Sequence, residues 1–230
     1  MDQAAQRLDG AVRSGVPDAV RTDDLFELAE HDIKNALNVV NSALDMIADD
    51  PKEMADMLPL LRRSSGRIGR LVATLVEVNR LVGGTMPVRI ADVPWARLCE
   101  SALADVALLA EGRAVTVDVR ADSGLSVRCD RALFERVLTN LLDHVVAAAP
   151  RSSVVDVHVA RSDDGGFHAL VGHRGTPLAA DQLANVKRLR GWGLGMIFCR
   201  LAVERHGGTI RPVSPYHGDA GVAFEIALPA

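Results

Sequence analysis

From Asp24 to Val82 apolar residues return every three or four positions, and the run is broken once, at Asp49-Asp50-Pro51. Ala29, Ile33, Ala36, Val40, Leu44 and Ile47 make the first stripe. Met54, Leu58, Leu61, Ile68, Val72 and Leu75 make the second, with Ser65 as a polar member. Their alternating steps of four and three are a heptad seam. Pro51 suits the first turn of a new helix, where its missing N–H is not needed. Two long helices joined by so short a turn fold back as an antiparallel hairpin. A lone hairpin leaves much of both stripes in water, whereas two hairpins side by side bury them as a four-helix bundle. The pattern therefore predicts a homodimer; the alternative is a hairpin packed on the chain's own C-terminal half.

Beyond Gly83-Gly84-Thr85-Met86-Pro87, a linker by composition, the periodicity changes. Trp95–Glu111 reads as a helix, and Val115–Ala121 and Leu125–Cys129 as strands. Asp130 reads as the cap of a helix running to about Ala149. Val154–Arg161 alternates cleanly, with Phe167–Val171 as its hairpin partner. Leu194–His206 reads as a helix stopped by Gly207-Gly208, and Thr209–Val213 and Val222–Leu228 close the sheet. The expected fold class is α+β: a helical hairpin forming a dimeric four-helix bundle, then a two-layer α/β sandwich with one mostly antiparallel sheet. The expected divisions are a leader at 1–20, the hairpin at 21–82, a linker at 83–93 and the sandwich at 94–230.

The bulk numbers narrow the function. The 230 residues suffice for a core, and 48% hydrophobic with 24% charged residues is ordinary for a soluble chain. A net charge of −4 and 3% aromatic residues argue against a nucleic-acid partner. Cys99, Cys129 and Cys199 are far apart and form no CxxC pair, which points to buried thiols in a reducing, cytoplasmic setting. No apolar run approaches the ~18–20 residues needed to span a bilayer, and no membrane partner is expected.

His31-Asp32-Ile33-Lys34-Asn35 carries the chemistry. At roughly 100° per residue, His31 lies about 200° and Asn35 about 240° from Ala29, opposite the apolar stripe. They are i,i+4 neighbours on the wet face. A neutral imidazole is a good nucleophile near neutral pH, the adjacent carboxylate can fix its tautomer, and the amide can hold a water or a phosphoryl oxygen. The bland alternative is a solvated helix face.

A second motif, Gly191-Trp192-Gly193-Leu194-Gly195, opens the Leu194 helix, where glycines let backbone amides approach a polyanion. Taken in order, His31–Asn35, the run Asp130–Asn140 with Leu141 and Leu142, the Gly191–Gly195 turn and Val203–Gly208 resemble the core of two-component sensor histidine kinases. That core is a dimerisation and histidine-phosphotransfer hairpin followed by a Bergerat-type (gyrase/Hsp90-like) ATP-binding domain. The resemblance implies that His31 is the phosphorylated histidine of the H box, with Asp32, Lys34 and Asn35 assisting. It implies a vestigial nucleotide site at Asn140, Gly175, Gly191, Gly193 and Gly195.

The departures from the family are informative. His144 stands where the family has a magnesium-binding Asn, and Ala147 where a phosphate-contacting base is usual. His173 takes the place of the Asp that reads the adenine amino group, and Pro177 that of a glycine. The lid segment Ala179–Arg190 is short and has no aromatic residue. The buried carboxylate alone is worth roughly 1.5–3 kcal/mol as a charged hydrogen bond, and imidazole is a poor magnesium ligand. His144 and His173 lack the Cys cluster that would make them zinc ligands, so no resident metal is expected.

The leading expectation is a histidine phosphotransferase. It would pass a phosphoryl group between receiver-domain aspartates through His31, without ATP and with Mg2+ supplied by the receiver. Its partners would be a second copy and response-regulator receiver domains, including that of a hybrid histidine kinase. Two alternatives stay open: an active soluble sensor histidine kinase or phosphatase with an atypical ATP site, and a non-catalytic module that binds a response regulator. Ala36 follows Asn35 where many family members have Pro, which predicts a straighter first helix.

Overall fold

A computed structural model of the chain describes residues 22–162, 164–180, 182–183, 193–216, 218 and 220–230. The expected leader, most of the lid segment, and Gly191 and Trp192 lie outside the described residues. The hairpin comprises α1 (Thr22–Asp49), a 3-10 turn (Pro51–Glu53) and α2 (Met54–Val82). Asp50 caps the turn by accepting the Lys52 N–H at 3.0 Å, and Pro51 opens it.

The second half runs β1 (Ala91–Pro94), α3 (Trp95–Arg113), β2 (Thr116–Ala121), β3 (Ser126–Cys129) and α4 (Arg131–Ala148). It continues with β4 (Val154–Arg161), β5 (Phe167–His173), α5 (Leu194–Arg205), β6 (Thr209–Val213) and β7 (Val222–Leu228). A five-stranded sheet has the order β2-β4-β5-β7-β6, antiparallel except for the β2–β4 pair. Val155, Val157 and Val159 of β4, Phe167, Ala169 and Val171 of β5, and Phe224, Ile226 and Leu228 of β7 turn into one core with α3, α4 and α5. The period of two in these strands is what lets one face be so uniformly apolar. Among the described residues no helix is long and apolar enough to cross a membrane.

Three details differ from the sequence reading. Leu125–Cys129 does not join the main sheet: β3 pairs with β1 in a separate two-stranded ribbon. That strand β1 lies where linker was read. Its partner contributes Val127 and Cys129, both fully buried, which the alternation in so short a segment could not assign. On α2, Met54, Leu58, Ser65 and Val72 are exposed, and Ser64, Thr74, Val78 and Leu81 are buried instead. The helix rotates by about one position because its C-terminal half packs on α5 as well as on α1. Leu25, Ala29, Val78 and Leu81 thereby share a core with the sandwich.

A clamp holds α4 and α5 together at the sandwich base. Asp130 accepts the Leu133 N–H at 3.2 Å as N-cap of α4, and the Arg89 N–H at 2.8 Å. The Asp130 N–H donates to His206 Nε2 at 2.9 Å, and His206 Nδ1 donates to the Ala202 carbonyl at 2.6 Å. Both imidazole nitrogens are therefore used in tying the end of α5 to the start of α4. Gly207, at φ +74°, then turns the chain into β6 in a conformation that favours glycine.

Candidate functional site

The amphipathic pattern of α1 turns His31 outward: its side chain is 71% exposed. Asp32 Oδ1 lies 3.5 Å from His31 Nδ1. The Asn35 amide nitrogen lies 3.3 Å from His31 Nδ1 and 3.4 Å from Nε2, one turn on. Lys34 is not part of this group: it pairs with Glu30 at 2.5 Å, and that ion pair holds the Glu30 carboxyl below its usual range. So the helix brings three of the four expected residues together and directs the fourth along its own flank.

Asp32 also marks where the hairpin meets the sandwich. Its Oδ2 lies 3.7 Å from the place a Cβ would occupy on Gly193, the N-cap of α5. The first turn of α5 is in turn packed against α4: a Cβ on Gly195 would stand 3.2 Å from Asn140 Oδ1. The Asn140 Nδ2 is buried with no hydrogen-bond partner.

His173, at the end of β5, is 5% exposed. Its Nδ1 accepts the Gly175 N–H at 3.0 Å. A Cβ on Gly175 would come 2.7 Å from that nitrogen, so the ring occupies the space a side chain would need. His144 on α4 meets Phe224 edge-on at 5.4 Å between ring centroids. Burial pushes the His144 pKa down, and the neighbouring His173 adds to this. Burial likewise pushes down that of His173.

At the positions that the sequence resemblance assigns to the adenine-reading carboxylate and the magnesium ligand stand two imidazoles, His173 and His144. A hydrogen-bond acceptor is needed for the adenine amino group, and the ring nitrogen left over on His173 is a donor. An oxygen ligand is needed for magnesium, and His144 offers neutral imidazole. Among the described residues no group of three or more His, Cys, Asp or Glu side chains could hold a metal ion.

A hollow of about 510 Å³ lies on the face of the sheet away from the helices, lined among others by Arg120, His158, His168 and Tyr216. Its charged groups already have partners: Arg120 pairs with Asp118 and His168 with Glu225. The cysteines are free, and burial pushes the Cys129 thiol up to about 12 and keeps it inert.

Sequence reasoning missed one contact between the two halves. Arg136 on α4 forms an ion pair with Glu77 on α2, donates to Thr74 Oγ1 at 3.1 Å, and lies 4.6 Å from the Phe198 ring centroid. No local pattern links residues so far apart along the chain.

Residues 129–230 match the family model for the histidine kinase-, DNA gyrase B-, and HSP90-like ATPase. The sensor-like histidine kinase SenX3 of Mycobacterium tuberculosis is 27% identical over 228 residues, covering 93% of this chain and 55% of that protein. The sensor protein KdpD of the same organism is 27% identical over 241 residues, covering 95% of this chain and 28% of that one. The chain thus spans about half the length, or less, of these curated relatives. The fold is that of the Acinetobacter baumannii histidine kinase AdeS, with a TM-score of 0.70 at 16% identity over 86% of this chain and 97% of that one. It is also that of the histidine kinase ThkA, solved in complex with the response regulator TrrA, with a TM-score of 0.68 at 16% identity over 98% of this chain and 64% of that one. Over residues 129–230 the chain is similar to the histidine kinase-, DNA gyrase B-, and HSP90-like ATPase family, and along most of its length it is similar to a sensor-like histidine kinase.

Proposed function

We propose that the chain is a two-component signalling protein whose phosphoryl carrier is His31. The observation that carries this reading is the exposed imidazole set between Asp32 and Asn35 on the wet face of α1. With Asp32 beside Nδ1, the proton sits on that nitrogen and Nε2 is the nucleophile. In transfer from a receiver domain, a bond forms between Nε2 and phosphorus. The bond from phosphorus to the aspartyl oxygen breaks, and its electron pair leaves with the carboxylate. Asp32 stabilises the resulting phosphoimidazolium, and the Asn35 amide donates to a phosphoryl oxygen. Magnesium comes with the receiver. ThkA's complex with a response regulator supports a partner of this kind.

Two readings of the phosphoryl donor follow. The departures at His173, His144 and Ala147 favour a relay supplied by a phosphorylated receiver. The similarity to a sensor-like histidine kinase fits the other reading better: a kinase charged from a nucleotide in its own sandwich. The approach of Asp32 to Gly193 favours that reading too, because it sets the histidine turn beside the first turn of α5. In either case a second copy pairs through the hairpin, for which the exposed Phe26, Leu37, Leu44, Leu58, Val72 and Val76 supply the apolar face.

The test is to incubate the protein with a phosphorylated receiver domain and, separately, with γ-labelled nucleotides. Label on wild type and none on His31→Ala supports His31 as carrier, and the donor that delivers it decides between relay and kinase. Absence of label from every donor overturns the proposal.

A further inference from the structure

Strand β2 is one edge of the five-stranded sheet, paired on one side with β4 and on the other with no strand among the described residues. The Thr116 N–H donates to the Ser153 carbonyl and the Asp122 N–H to the Val159 carbonyl, so the even-numbered residues of β2 turn their backbone groups toward β4. The period of two then turns the N–H and C=O groups of Val117, Val119 and Ala121 outward, and among the described residues no hydrogen bond meets them. The side chains divide in the same way. Val117 and Val119 pack against the core but are only half-buried at this edge. Asp118 and Arg120 stand on the other face of the strand and pair with each other at 2.8 Å, a solvent-accessible pair that contributes little to a lone protomer. Sheet edges are commonly blunted by proline or lysine. β6, at the other edge, carries Pro212, whereas β2 has neither residue.

We infer that β2 pairs antiparallel with β2 of a second copy of this chain, joining two five-stranded sheets into one. The edge is complementary to itself, and its charges select one register. With Val119 opposite its own counterpart, Val117 meets the counterpart of Ala121, and the outward N–H and C=O groups of all three bond across a two-fold axis. Asp118 then faces the counterpart of Arg120, and Arg120 that of Asp118, so two opposite-charge pairs form on one face. Moving the axis by one residue sets Asp118 against Asp118 or Arg120 against Arg120, and like charges directly opposite destabilise the pairing. The favoured register also covers the half-buried Val117 and Val119, and it keeps the helices of both copies on one side of the joined sheet. The contact uses no residue of the hairpin. It therefore joins one hairpin pair to another, and it is independent of which donor charges His31.

The test is sedimentation velocity of the full chain carrying Leu44→Glu and Val72→Glu, which charge the exposed apolar face of the hairpin and leave β2 untouched. This chain is expected to associate reversibly to twice the protomer mass as its concentration is raised. Arg120→Asp in that background sets like charges opposite each other and is expected to weaken association about tenfold or more, and Asp118→Arg likewise. Combining the two substitutions restores opposite charges across the axis and is expected to recover the association. Val119→Pro removes an outward N–H without removing a bond to β4, and is expected to abolish it. The charge variants sit on a solvent-accessible face and serve if the proline variant does not fold. In the unaltered chain, the amide hydrogens of Val117 and Val119 are expected to exchange more slowly as concentration rises. Protomer mass at every concentration, indifference to both single charge reversals, no recovery in the combined variant, or exchange at Val117 and Val119 that ignores concentration would overturn the inference. Labelling of wild-type His31 is measured separately, so either idea can fail alone.

Discussion

Asp32 on α1 and Gly193 at the head of α5 are neighbours, the carboxylate oxygen lying 3.7 Å from where a Cβ on the glycine would stand. The two most chemically loaded turns of the protein therefore share one surface, although one belongs to the hairpin and the other to the sandwich. A methyl group at 193 makes an ordinary contact there, so Gly193→Ala is expected to change stability by no more than about 0.5 kcal/mol. Gly193→Glu sets a second carboxylate against Asp32. His31 labelling is then expected to slow about two- to fivefold, from ~0.5–1 kcal/mol of repulsion, while the melting temperature stays put. Labelling unchanged by this variant would detach Asp32 from the chemistry.

Arg136 joins the two halves through Glu77, Thr74 and the face of Phe198. Arg136→Ala leaves Glu77 partly buried without its cation and strips a planar group from an aromatic ring. The expected loss is about 1–3 kcal/mol, read as a lower urea midpoint. Glu77→Gln keeps the shape and is expected to lose less. If both variants unfold at the wild-type midpoint, the contact does not hold the hairpin to the sandwich.

His144 and His173 are held below the usual imidazole range by burial, His144 further by its neighbour. An unfolded histidine titrates near 6.5, so between that value and the lower folded value the unfolded chain binds more protons. Stability therefore rises with pH across this window: it is fully present above about 6.5 and lost as pH falls through the folded values. His144→Phe preserves a ring against Phe224 and removes one titrating group. The drop in melting temperature from about pH 7.5 to about pH 5 should be smaller in this variant than in wild type. An equal drop in both would mean that His144 does not contribute.

Gly208 separates α5 from β6 in a space that admits no side chain. A Cβ there would lie 2.4 Å from the Ala227 carbonyl oxygen and 2.5 Å from Leu228 Cδ2. Backbone cannot yield cheaply, and Gly208→Ala is expected to cost about 2–3 kcal/mol. Gly112, near the end of α3, has nothing within 4 Å of its Cβ position. Gly112→Ala is expected to stabilise by about 0.5 kcal/mol through helix propensity alone. Chemical denaturation of the two variants side by side checks both signs.

The candidate site was legible where its determinants are local. His31 and Asn35 stack because they are four residues apart on a helix, and spacing alone predicts that. The Asp130 cap and the Gly207 stop are likewise decided within one turn of chain. Lys34 is a residue whose partner spacing also shows: Glu30, one turn earlier, pairs with it at 2.5 Å. The heptad seam of α2 was legible as a period but not as a phase. Both candidate faces of that helix carry apolar residues, and the neighbour that selects between them, α5, lies far along the chain.

The sequence by itself determined the hairpin, the change of period after Gly84, most strands of the sheet and the outward histidine, because helix and strand periods and end signals act over a few residues. Only the tertiary structure decided that β1 and β3 leave the main sheet, that Arg136 reaches across to Glu77, and that Asp32 comes to the head of α5. It also decided the surroundings of His173 and Asn140. The tautomer of His173 depends on the Gly175 N–H that its ring folds back to meet, and the orphaned amide of Asn140 depends on what is packed around it. Such contacts are set by three-dimensional proximity and by the exclusion of water, which a one-dimensional pattern does not encode.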